Sequence, residues 1–219
     1  MIKFIKKAFA IFTFLIMLCT SPVISFAGTS SIKSNEITIN LELSTNEEDA
    51  YSNFLSIEEA LVQSDGSNII HVVFPKGQMI YITTSGTPEE PNRALRIRSN
   101  TIIDLNGSTL IRTGASVNQN IFQNCDLNGE RNGGGYTLSE NITIQNGTLD
   151  GNGSKSTNGL NLVNLGHAQN INITNVRFKN VFEGHMLELS GCSDVVIENC
   201  TFDGFYGDAT KENIEAEAL

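Results

Sequence analysis

The chain has 219 residues, 40% of them hydrophobic and 17% charged, enough for one ordinary domain with a sizeable core. Its 24 acidic and 14 basic residues set a net charge of −10, which excludes a general affinity for nucleic acid or anionic lipid. There are 19 Gly and 4 Pro, and Asn is frequent in the second half; both Gly and Asn tolerate left-handed backbone angles, so the composition is rich in turns.

The N-terminus carries Lys3, Lys6 and Lys7, then an apolar run from Ala8 to Leu18, then Ser25-Phe26-Ala27. A basic start, an apolar core too short to span a bilayer and small residues at a cleavage site read as a secretory signal peptide, residues 1–27. Leu18 precedes Cys19, where a lipoprotein signal needs a small residue. Export implies a secreted or extracellular location, including the cell surface, and no membrane partner for the mature chain. Removing three of 14 basic residues leaves 11 against 24 acidic, a net charge of −13. An acidic polymer would then need a local basic patch, either Arg93, Arg96 and Arg98 or Arg177 and Lys179. Three cysteines remain, Cys125, Cys192 and Cys200, with no C-x-x-C pair. That count argues against a disulfide framework or zinc site and for small wall-filling hydrophobes.

Residues 28–52 form a polar leader, within which alternation at Ile37, Ile39, Leu41 and Leu43 predicts one strand. A helix follows. Ser56-Ile57-Glu58-Glu59 has the form of a capping box, and Leu55, Ile57, Ala60 and Leu61 make an apolar stripe ending near Ser64-Asp65-Gly66. Strands are then expected at Ile69–Phe74, Met79–Ile82, Leu95–Arg98, Ile102–Leu105 and Leu110–Ile111, with a loop-rich stretch from Gly114 to Gly135.

Beyond it the chain repeats. Asn161-Leu162-Val163-Asn164-Leu165 aligns with His185-Met186-Leu187-Glu188-Leu189, and Asn170–Asn180 aligns with Asp194–Gly204, both pairs at one and the same offset. Asn141–Gly151 is an earlier copy of the Asn170–Asn180 unit, set further back by the loop Asn152–Ser156, and Ile103–Gly107 is a weaker copy before that. Such a period carrying short strands predicts a solenoid over residues 53–219, with the helix covering its first end. In register, Asn146, Asn175 and Asn199 share one position and Leu149, Phe178 and Phe202 another. Stacked parallel strands place like residues over like, so the first set predicts an asparagine ladder and the second an interior stack. The Asn-x-Ser/Thr triplets follow from this repeat composition.

These motifs resemble the right-handed parallel β-helix superfamily of pectate lyases, polygalacturonases and tailspikes. The likeness is carried by the helix, Val73-Phe74-Pro75-Lys76-Gly77, Ser99–Asp104, Asn141–Ile144 with Gly147–Gly153, and Gly184–Leu189. It implies an all-β, right-handed parallel β-helix acting on polysaccharide as a glycoside hydrolase or lyase; the alternative is a non-catalytic glycan-binding or adhesive protein. No cofactor is evident, although a lyase would call for calcium. Gly184-His185-Met186 matches the polygalacturonase Gly-His-Gly motif in part, while the Asn-Thr-Asp, Asp-Asp and Arg-Ile-Lys motifs are absent.

Parity selects the candidate residues. Leu187 and Leu189 alternate with Glu188, so Glu188 faces outward if the leucines face inward, with Asn164 beside it. His185 and Asn161 stand at the strand entries. Glu188 and His185 are the candidate catalytic pair, and Asn161, Asn164, Asp150 and Glu217 the candidate substrate-binding residues; no metal-ligand cluster is seen. A solvated strand face and, for Asp150-Gly151, a plain turn remain the alternatives. Glu217-Ala218-Leu219 resembles the opening of a third copy, so a longer protein with further cleft residues is expected.

Overall fold

A computed structural model describes residues 35–83, 94–113, 120–156, 159 and 161–207. The signal peptide, Arg93 and Glu217 lie outside the described residues.

The chain is all-β, with parallel sheets and one short α-helix among the described residues. The first strand, β1 (Glu36–Asn40), is followed by α1 (Ala50–Leu61). Then come β2 (Ile69–Val73), β3 (Met79–Ile82), β4 (Leu95–Ile97), β5 (Thr101–Asp104) and β6 (Thr109–Arg112). Next are β7 (Phe122–Asn124), the long β8 (Ser139–Asp150), β9 (Val163–Gly166) and β10 (Ala168–Phe182). The last three are β11 (Leu187–Ser190), β12 (Ser193–Glu198) and β13 (Thr201–Tyr206). A large sheet runs β1-β2-β5-β8-β10-β12, with β13 on β10 and β3-β6 joining through β8. A small sheet runs β4-β7-β9-β11.

The registers follow the repeat. Leu187 lies opposite Val163 and Val195 opposite Ile171, each pair separated by the spacing of the clear copies. Ile171 lies opposite Ile142, across the longer loop. Because side chains alternate across a strand, this register stacks Ile103, Ile144, Ile173 and Ile197 on the inner face. The interior stack forms as expected: Phe178 pairs with Leu149 and Phe202, and the two Phe rings stack at 5.0 Å and 5°. Cys125 is buried, and burial raises its thiol above the ordinary value. Cys192 and Cys200 are free and pack against the core.

Asn146, Asn175 and Asn199 all adopt left-handed angles, φ 61°, 55° and 54°, and Asn175 Nδ2 donates to Asn146 Oδ1 at 3.2 Å. A second ladder was not expected. Asn100, Asn141 and Asn170 (φ 58°, 57° and 55°) bond head to tail at 2.6 Å per step. An ordinary side chain loses about 1–2 kcal/mol in this conformation. Asn adopts it more readily than other non-Gly residues because its short polar side chain can hydrogen-bond locally.

The helix departs from its expected start. Ser56 is not a cap; it sits inside α1 and its hydroxyl donates to Ser52 O at 3.0 Å, while Asp49 holds the N-cap position. Leu55 is 41% exposed. The buried stripe is Ala50, Asn53, Phe54, Ile57, Glu58, Ala60 and Leu61. Packing decides the boundary: each large apolar side chain buried there contributes about 1.5–3 kcal/mol, more than a capping box supplies. Asn53 anchors the helix by accepting from Ser44 N and donating to Ser44 O and Tyr81 O. α1 packs on β3 and β4, each at the end of its row.

Candidate functional site

The outward face of the small sheet is one row of aligned positions: Arg96, Gln123, Asn164 and Glu188. Val163, Leu165 and Leu187 are fully buried, so the alternation places Asn164 and Glu188 outside, as the parity argument required.

The row is closely bonded. Asn161 Nδ2 and Asn164 Nδ2 both donate to Glu188 Oε2, the latter at 2.5 Å. Ser190 Oγ donates to Glu188 Oε1 at 3.3 Å. His185 reaches the site through its backbone, whose N–H donates to Asn161 Oδ1 at 2.8 Å, and its Nδ1 lies 3.9 Å from Glu188 Oε2. The structure therefore brings Asn161, Asn164, His185 and Glu188 into one cluster. Asp150 is elsewhere, at the end of β8 in the large sheet, and is buried. Its Oδ1 accepts from Asn152 N and Asn180 Nδ2, and its Oδ2 lies 3.0 Å from Lys179 Nζ.

Two contributors were missed in the sequence. Arg131 crosses the row: its Nη2 donates to Asn164 Oδ1 at 2.7 Å. Gln123, with its amide oriented so that the oxygen faces Arg131, accepts from Arg131 Nη1 at 2.9 Å and Nε at 3.0 Å. Gly166 makes room, since a Cβ there would stand 3.2 Å from Arg131 Nη2. Burial of the guanidinium lowers its pKa, opposed by the nearby Glu188 charge. Both residues fall in the stretch read as loop, which contains β7. A signal was present. Asn120-Ile121-Phe122-Gln123 matches Asn161-Leu162-Val163-Asn164 at an offset of 41, the same offset that separates Asn100 from Asn141.

The described members of the basic patches considered for an acidic polymer, Arg96, Arg98, Arg177 and Lys179, all bond within the chain. Arg96 Nε and Nη2 each lie 3.1 Å from Glu58 Oε1 on α1. Arg98 Nη1 donates to Val62 O and Ser64 O at the helix end. Arg177 pairs with Asp203 at 2.8 Å, and Lys179 with Asp150.

Chemically, the row is an array of amides, one carboxylate and two guanidiniums, that of Arg131 bonded to the amides and that of Arg96 paired with Glu58. Glycoside hydrolysis most often uses two carboxyl groups about 5–9.5 Å apart. Glu188 is the sole acid in β4, β7, β9 and β11. No group of three or more His, Cys, Asp or Glu able to hold a metal occurs among the described residues. No described helix is long and apolar enough to cross a membrane.

The chain is similar to the plasmin and fibronectin-binding protein A of Streptococcus pneumoniae (strain ATCC BAA-255 / R6), 25% identical over an alignment of 122 residues that covers 49% of this chain. The match spans 17% of that protein's length. No protein-family model and no solved structure matches the chain.

Proposed function

We propose that the chain is a secreted, right-handed parallel β-helix that binds polysaccharide on the outer face of its small sheet and does not cleave it. Support for the architecture comes from parallel pairing at a recurring offset, left-handed Asn at the corners and α1 on the end strands, where it serves as a cap. Export from the cell rests on the signal-peptide reading of residues 1–27.

One observation carries the choice of binder over enzyme. Glu188 Oε2 is held by two amide donors, and its row supplies no second carboxylate. An array of planar, mutually oriented hydrogen-bonding groups suits sugar hydroxyls, which both donate and accept. The name of the similar streptococcal protein describes binding of plasmin and fibronectin, which agrees with a binding role and supplies the protein-ligand arm of the test.

The enzyme reading keeps one supporting feature, His185 Nδ1 at 3.9 Å from Glu188 Oε2. Electrophoresis of the full chain through gels containing neutral or acidic polysaccharides separates the readings. Retardation in at least one gel, lost in Glu188→Ala and without release of reducing sugar or unsaturated product, is expected. Turnover abolished by Glu188→Gln would establish an enzyme instead. Capture by immobilised fibronectin or plasmin with no polysaccharide retardation would replace the glycan with a protein ligand.

A further inference from the structure

The strand β1 forms one edge of the large sheet and pairs with β2. Its side chains anchor it weakly. Ile39 packs against the core, whereas Glu36, Ile37, Thr38 and Asn40 are exposed. A polar tie supplements the backbone pairing. Ile70 and Val72 are buried, so His71 between them stands on the outward face of β2. Its Nδ1 lies 2.9 Å from Glu36 Oε1 on β1, and its Nε2 lies 4.0 Å from Asp104 Oδ2 on β5. One imidazole thus bridges three neighbouring strands.

Neither neutral form of the ring suits both neighbours. With its proton on Nδ1 the ring donates to Glu36, and the bare Nε2 is left shielded from water, facing Asp104 with no hydrogen-bond partner. A shielded acceptor left unmet is costly. With its proton on Nε2 instead, the Nδ1 lone pair stands 2.9 Å from the Glu36 carboxylate, acceptor against acceptor. The imidazolium carries a proton on each nitrogen and has a carboxylate on each side. Asp104 is itself fixed: Oδ1 accepts from Asn106 N at 2.8 Å, and Oδ2 accepts from Gln145 Nε2 at 2.9 Å. Asn146 Nδ2 lies 3.2 Å from both oxygens.

Other charges stand apart from the ring. The strands β1, β2 and β5 hold no titratable residue besides Glu36, His71 and Asp104. The helix α1 meets β2 from the core side, where Phe54 and Ile57 join Ile70 and Val72, and Tyr51 packs against that core. Its Glu58 is paired with Arg96, and its Glu59 lies beside Ile39, which alternates to the opposite face from His71. We infer that Glu36, His71 and Asp104 form a pH-sensitive clasp on the edge strand: protonated His71 ties β1 to β2 and β5, and loss of that proton loosens β1. The charged ring makes the clasp, so its contribution is complete at low pH. It is lost as pH rises through the range in which histidine ordinarily deprotonates, about 6.5. Carboxylates ordinarily titrate at about 4, below that window. Loosening β1 bares the backbone edge of β2.

Hydrogen–deuterium exchange of the full chain from about pH 5.5 to about pH 8 tests the clasp, read as protection factors that divide out the intrinsic pH dependence of exchange. Protection of the β1 amides should fall at least about threefold relative to those of β8 and β10 as pH rises. His71→Gln should abolish that fall. Glu36→Gln, a change at an exposed position, unties β1 from the ring, should abolish it as well, and serves if His71→Gln does not fold. Protection of β1 that is independent of pH in the unaltered chain would overturn the clasp. So would a fall of the same size in His71→Gln or in Glu36→Gln.

Discussion

Asn124→Ala should be among the most damaging single changes in the small sheet. Asn124 is fully buried on β7. Its Nδ2 donates to Gly166 O and Ser139 Oγ, each at 2.7 Å, and its Oδ1 accepts from Gly166 N at 2.8 Å. Truncation leaves both backbone groups of buried Gly166 without that partner, while the Ser139 hydroxyl can rotate. Each stranded buried group costs about 1–3 kcal/mol, so the expected loss is about 3–5 kcal/mol. Against a typical total of about 5–15 kcal/mol, that is a large fraction. Gly166 closes β9, the strand of Asn164, and lies under Arg131, so ligand binding on the small sheet should weaken as well. Urea unfolding followed by far-ultraviolet circular dichroism reads the stability loss, with Asn132→Ala as the exposed control. A loss below about 1 kcal/mol in Asn124→Ala, or an equal loss in the control, would refute the reasoning.

Phe178→Ala should cost about 3–5 kcal/mol by the same measurement, because the ring is fully buried between Leu149 and Phe202. Asn175→Val should destabilise by at least about 1–2 kcal/mol while Asn175→Gly should cost far less, since φ is 55° and only the former adds steric strain there. Arg131→Ala should change stability by less than about 1 kcal/mol, Arg131 being exposed overall, yet reduce retardation in polysaccharide gels because Asn164 and Gln123 lose their orienting partner. Acid should weaken the fold through Asp65 and Asp126, whose carboxylates are lowered from 3.8 chiefly by backbone N–H donors at Ser67 and Glu130 respectively. Their contribution is complete above the unfolded value and disappears as pH falls through the lower folded values. The Asp65→Asn/Asp126→Asn double variant should therefore show a shallower loss of melting temperature below about pH 4.

Much of the architecture could be read along the chain because stacking in register imposes repetition on the sequence. The offset shared by the two clear copies predicted the pairing of β9 with β11 and of β10 with β12 before any coordinates. The shared positions of Asn146, Asn175 and Asn199 marked an asparagine stack, which the structure shows to be left-handed at each member, and Leu149, Phe178 and Phe202 marked the interior. Alternation alone placed Glu188 and Asn164 on one face, since a strand has a period of two.

Other features depended on contacts that local pattern does not encode. Ser56 looked like a helix cap, yet burial of Phe54 and its neighbours extended the helix past it. β7 hid in a loop-rich stretch because its partner β9 lies much further along the chain than the spacing of the clear copies. Arg131 lies on no strand, and only the folded chain brings it over Asn164 and Gln123. Sequence by itself determined the all-β, parallel, repeating character and the outward row, because periodicity is a local property. Tertiary structure decided which polar groups are consumed by the chain itself, because hydrogen-bond partners across a stack come from distant positions whose meeting depends on the register as a whole.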